Sequence, residues 1–108
     1  MRKKSNGHLA YLRSLPCAVC GRAGSQAAHV RYSDPRAGKP ITGIGVRPND
    51  AFAVPLCPAC HADQHKHGER SWWGQKNIDP IFIALALWQA SGDREASEQI
   101  LRHAYFNS

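Results

Sequence analysis

Four cysteines stand in two Cys-x-x-Cys pairs, Cys17/Cys20 and Cys57/Cys60. Each pair can chelate a metal from one tight turn, and two such knuckles complete a tetrahedral thiolate site suited to zinc. A site closed by four protein ligands keeps no open position, so it stabilises and does not catalyse. Two disulfides or four inert buried thiols are the other readings of the same residues. Zinc is favoured because nothing at the start of the chain reads as an export signal: Arg13 interrupts the apolar stretch behind Arg2, Lys3 and Lys4.

Six histidines accompany the cysteines, and their placement matters more than their number. His61 and His65 fall at i and i+4 on a helix expected to open at Cys57-Pro58. That spacing puts both side chains on one face, with Cβ atoms about 5–6 Å apart, where neutral imidazoles can hold a divalent ion. His29 lies near the end of a short strand in Ala27-Ala28-His29-Val30, and Asn49-Asp50 directly precedes a second apolar run. Each histidine also has a plain structural reading: His29 as a core side chain bonded to backbone, His61 as a neighbour of the zinc knuckle, His65 and His67 as a solvated helix end. His8 and His103 carry no functional reading.

The elements that must position these residues are short. Ser5 or Asn6 can cap a first helix with Leu9, Leu12 and Leu15 on one side, ended by Pro16. Gln26 to Arg31 reads as a strand, Ser33 to Asn49 as a Gly- and Pro-rich loop, and Ala51 to Leu56 as a second strand with Pro55 at its end or on an edge. Pro58 suits the first turn of the next helix and Gly68 its close. Asp79-Pro80 starts another helix, Ile81 to Ala90, ended by Gly92, and Asp93 starts a last one with Ala96, Ile100, Leu101, Ala104 and Tyr105 at helical spacing. The class is small α+β, a zinc-stabilised core with a helix before it and two or three after it.

At 108 residues the chain forms a single domain, its core over about 16–68 and a helical extension over about 69–108. The longest apolar run, Ile81 to Trp88, falls far short of the roughly 20 residues that cross a bilayer. No membrane partner is expected, and the location is expected to be cytoplasmic. The net charge of +6 is unevenly spread: residues 1–50 carry +7 and residues 51–108 carry −1. Such asymmetry points to a polyanion, most simply nucleic acid. Arg31, beside His29, and the loop residues Arg36, Lys39 and Arg47 are the candidate phosphate contacts. Contacts of this kind give affinity without sequence choice.

The order Ala-His29-Val-Arg31, then Asn49-Asp50-Ala-Phe-Ala-Val-Pro-Leu-Cys57-Pro-Ala-Cys60-His61-x3-His65, resembles the ββα-metal core of HNH (His-Me finger) endonucleases. It is most similar to the phage and prophage branch of Ref-like recombination-enhancement nucleases. The resemblance runs over about residues 8–92 and takes in His8-Leu9, Ser14-Leu15-Pro16-Cys17, Trp72-Trp73 and Ile78-Asp79-Pro80. It implies a metal-dependent DNA endonuclease in a bacterial host cell, encoded by a phage or prophage, with recombination proteins as further partners. By position, His29 would be the general base and His61 and His65 the residues at a catalytic divalent ion, often magnesium. Asp50, or Asn49, would stand in for the Asn that orients the base. The sequence departs from many HNH proteins at Ala28, where an Asp or His supplies a further metal ligand.

Trp72 and Trp73 have two readings, stacking on unpaired bases or packing between helices. The rival to an enzyme is a non-catalytic zinc module that holds nucleic acid, or a recombination accessory factor with the same cage.

Overall fold

The computed structural model describes residues 6–32 and 50–106. Helix α1 (Asn6–Arg13) buries Leu9 and Leu12, as expected, and His8 with them. It tightens at its end, where Ser14 and Leu15 donate to the carbonyls of Tyr11 and Leu12. Pro16 cannot continue the ladder. Leu15 therefore extends the apolar stripe from just beyond the helix and is fully buried.

The first cysteine pair follows as a turn in which Gly21, at φ 74°, donates to the carbonyl of Cys17 over 3.0 Å. Only glycine takes that backbone conformation without strain. Strand β1 (Gln26–His29) then pairs antiparallel with β2 (Ala53–Leu56), in the register Gln26–Leu56, Ala27–Pro55, Ala28–Val54 and His29–Ala53. Pro55 has no N–H to give, but its carbonyl accepts Ala18 N–H at 2.9 Å, tying the first knuckle to the sheet.

The second strand is shorter than its apolar run suggests. Asp50–Phe52 winds into a 3₁₀ turn with all three residues buried, and the ladder begins only at Ala53. The turn costs little pairing, since Val30 N–H still reaches the Phe52 carbonyl at 2.7 Å. It carries Asp50 back over the end of β1.

Helix α2 (Pro58–His67) starts as the sequence dictates. Pro58 fills a first-turn position, and the Cys57 sulfur accepts from Cys60 N–H at the N-cap. Gly68, at φ 86°, ends it. Directly after comes α3 (Glu69–Lys76), which the sequence pattern does not display. Its apolar residues, Trp72 and Trp73, are adjacent and so generate no helical stripe, yet both are buried, edge to face at 4.9 Å. Asp79 caps α4 (Pro80–Gln89) by accepting from Ile81 and Phe82 N–H. Asp93 does the same for α5 (Arg94–Phe106) through Ala96 N–H.

Strand alternation sorts the core. Ala28, Val54 and Leu56 join Cys17, Cys57 and both tryptophans on one face of the sheet. Ala53 and Ala27 face a second cluster of Leu9, Leu12, Leu15, Leu87 and Leu101. The result is an α+β fold with five helices and a two-stranded sheet among the described residues. None of those helices is long and apolar enough to cross a membrane.

Candidate functional site

The two knuckles meet beside the sheet. One sulfur from each of Cys17, Cys20, Cys57 and Cys60 comes within 4.8 Å of the other three, and all four are free thiols. The Cys20 and Cys57 sulfurs are 3.6 Å apart, far beyond the roughly 2.05 Å of a disulfide bond. A tetrahedral zinc with Zn–S near 2.3 Å sets its sulfurs about 3.8 Å apart, so the donor set fits the ion in number, type and spacing. Backbone N–H groups support it: Val19 donates to Cys17 sulfur at 3.4 Å and Cys60 to Cys57 sulfur at 3.5 Å.

The thiols differ in acidity. Burial raises Cys57, but the Cys60 N–H and the neighbouring thiols outweigh it and bring the group down to about 7. Burial pushes Cys60 and Cys20 up, with the adjacent thiols adding to it. Cys57 is therefore the thiol that most readily gives a thiolate, while Cys20 and Cys60 hold their protons more firmly; a bound cation would favour the thiolate form of its ligands.

The second constellation lies at the far end of β1. His29 Nε2 is 2.9 Å from Asp50 Oδ1. The Asp50 side chain is 4% exposed and that of His29 21%, so the carboxylate is sealed and the imidazole still reaches solvent. The backbone-bonded core histidine is thus not what the structure builds.

On α2, the rings of His61 and His65 lie 4.7 Å apart. His61 Nδ1 bonds the Gln26 side-chain oxygen at 2.8 Å, which leaves Nε2 for a ligand. Burial, then the neighbouring His65, lowers the His61 pKa, with Glu69 opposing, so its ring is neutral as a ligand must be. His65 is exposed; His67, also exposed, pairs with Asp63 at 3.3 Å. Among the described residues, the four cysteines are the one group of three or more His, Cys, Asp or Glu side chains brought to ligand spacing. A metal at His61 and His65 thus has two protein ligands at most from this set.

Ala28 explains the gap. It is buried against Cys57 and Trp72, on the face of β1 that Gln26 shares. Arg31 is exposed, and its backbone N–H is held by Glu69 Oε1 at 2.6 Å. Arg36, Lys39, Arg47 and Asn49 lie outside the described residues.

Sequence reasoning passed over Gln26, Glu69 and His8. No pattern marks the first two, a strand-edge glutamine and a glutamate opening a helix whose position the spacing does not display. His8 is buried with Nδ1 2.8 Å from Ser91 Oγ and its ring edge-on to Trp88. Its signal was its position on the leucine side of α1.

The fold and the cage together define a small α+β protein with a cluster of four cysteines that could hold a metal ion. The chain belongs to the family described as Protein of unknown function (DUF968), whose model matches residues 1–87, from the N-terminus through most of α4. No curated protein and no solved structure matches it.

Proposed function

We propose that this protein is a zinc-stabilised, metal-dependent DNA endonuclease of the HNH type, of phage or prophage origin and associated with recombination. The observation that carries this reading is the His29–Asp50 pair, a partly exposed imidazole held by a sealed carboxylate at the end of a β1–β2–α2 unit. With Asp50 accepting the Nε2–H, the imidazole is fixed as the tautomer whose Nδ1 lone pair can take a proton from attacking water. Such assistance contributes about 10²–10⁴-fold to rate. His61 and His65 would hold a divalent ion, magnesium or another, that stabilises charge on the leaving oxygen when bound. Water and phosphate oxygens would complete its shell. Arg31, Arg36, Lys39 and Arg47 supply phosphate contacts, and the cysteine cage holds the frame.

A plasmid-nicking assay with magnesium, manganese and no added metal tests the reading. The wild type is expected to nick only with metal. His29→Ala is expected to abolish nicking while zinc content and DNA affinity stay unchanged. Absence of cleavage by the wild type in every metal would overturn it.

One observation favours a second reading, a non-catalytic zinc module or recombination accessory factor that holds nucleic acid. With Ala28 in the core, the helix histidines have no third protein ligand among the described residues. On that reading the protein binds DNA and cleaves none.

A further inference from the structure

A cavity of about 420 Å³ opens on the side of α3, away from the cysteines, and lies in the volume range of small-ligand sites. Tyr32, Arg70, Trp73, Gly74 and Asn77 contribute to its walls. The Arg70 guanidinium sits 4.9 Å from the centre of the Tyr32 ring, a cation stacked on an aromatic face. Two features of the wall have no explanation within the described fold. Trp73 is 1% exposed, and its indole N–H is buried with no hydrogen-bond partner there. Buried donors of this kind ordinarily find an acceptor. Gly74 lies inside a helix at an ordinary φ, and a Cβ built on it meets nothing within 4 Å. Neither backbone conformation nor packing demands glycine at that position, although glycine weakens a helix. It leaves the mouth of the cavity open.

We infer that this cavity is a binding site for one unpaired nucleobase of a DNA strand. A base offers a flat face to the Tyr32–Arg70 stack, edge acceptors to the Asn77 amide, and a flanking phosphate to Arg70, while the Trp73 ring forms part of the wall. Tyr32 follows His29 by three residues, and Glu69 clamps the chain between them to α3 through the Arg31 and Tyr32 N–H groups, at 2.6 and 3.3 Å. The cavity therefore stands a nucleotide or two from the proposed base and deepens the endonuclease reading, on which its choice of DNA rests. It selects single-stranded or locally opened substrate.

Fluorescence anisotropy with the full chain, without added divalent ion, tests this apart from cleavage. The probes are a labelled ten-residue oligo-dT and an abasic phosphodiester of equal length. The wild type is expected to bind oligo-dT at least tenfold more tightly than the abasic strand. Gly74→Met, which fills the cavity mouth and favours helix, is expected to reduce oligo-dT affinity to the abasic level. Arg70→Ala, an exposed position, is expected to weaken oligo-dT at least as much, and His29→Ala to keep the full base preference. Equal affinity for the two probes, or a Gly74→Met protein of normal circular dichroism that retains the preference, overturns the inference. Either result leaves the nicking assay to judge the catalytic reading by itself.

Discussion

His29 Nε2 and Asp50 Oδ1 are 2.9 Å apart, although 21 positions separate them in the chain. The contact exists because β1 ends at His29 just where the 3₁₀ turn before β2 brings Asp50 inward. Burying a carboxylate is costly unless it is paired and hydrogen-bonded. Asp50 is consequently a fixed acceptor around which the imidazole is oriented.

That geometry makes Asp50→Asn an informative change. The amide keeps the shape but can offer its N–H to Nε2, which favours the opposite tautomer and puts the proton on Nδ1. Nicking is expected to fall by about 10²-fold or more, within the range of general-base contributions. Zinc content and oligonucleotide affinity are expected to stay as in the wild type. A variant with undiminished nicking would remove Asp50 from the site.

The cage supports a prediction about folding. Structural zinc binding in small domains is on the order of 10 kcal/mol at pH 7, comparable to the whole stability of a domain this size. Native mass spectrometry is expected to find one zinc per chain. Stripping it with a strong chelator is expected to collapse the helical circular dichroism signal, and one equivalent of zinc to restore it. Cys57→Ser, at a buried ligand position, is expected to show the collapsed state without chelator. Full helicity in metal-free protein would assign the stability to the apolar core alone.

What could be read from the residues follows a physical pattern. The cage was legible because two Cys-x-x-Cys knuckles have few other uses, and α2 because Cys57-Pro58 and Gly68 mark its ends. The α1 stripe and the Asp79 and Asp93 caps were equally plain. Helix α3 was hidden because Trp72 and Trp73 are neighbours, and its burial comes from tertiary contacts with Ile78, Leu56 and the cysteine knuckles. The positions of His29, His61 and His65 were legible, but the partners that fix two of them were not. Asp50 was expected only through a resemblance, and the Gln26–His61 bond depends on a strand-to-helix contact that no spacing encodes.

His8 gives the molecule a pH dependence of its own. Burial holds its pKa below the ordinary 6.5, with the Asp50 charge partly offsetting this. As pH falls below 6.5 the unfolded chain takes up a proton at His8 while the folded chain does not. Stability is therefore full above 6.5 and declines from there towards the folded pKa, by at most about 1.4 kcal/mol per pH unit for one proton. His8→Gln keeps a polar group near Ser91 and removes the titration. Its loss of Tm between pH 7 and 5 is expected to be shallower than that of the wild type. Parallel curves would show that His8 does not contribute.

Ala28 tests the packing of the site most directly. It immediately precedes the proposed base, is 2% exposed, and touches the cluster of Cys57, Leu56, Trp72 and Trp73. Adding a carboxylate there, as Ala28→Asp, would place a charge against apolar neighbours with no hydrogen-bond donor assigned to it. An uncompensated buried polar group costs at least about 1–3 kcal/mol, and a charge costs more. For a domain of this size each kcal/mol is worth about 4–8 °C of Tm. A drop of roughly 10 °C or more is therefore expected in calorimetry without added divalent ion. Because Ala28 shares a strand face with Gln26, which holds His61, manganese binding is the deciding measurement. The buried position predicts no gain in manganese affinity and no recovery of Tm. Recovery by manganese would mean that α2 can open enough for residue 28 to join His61 and His65 as a third ligand.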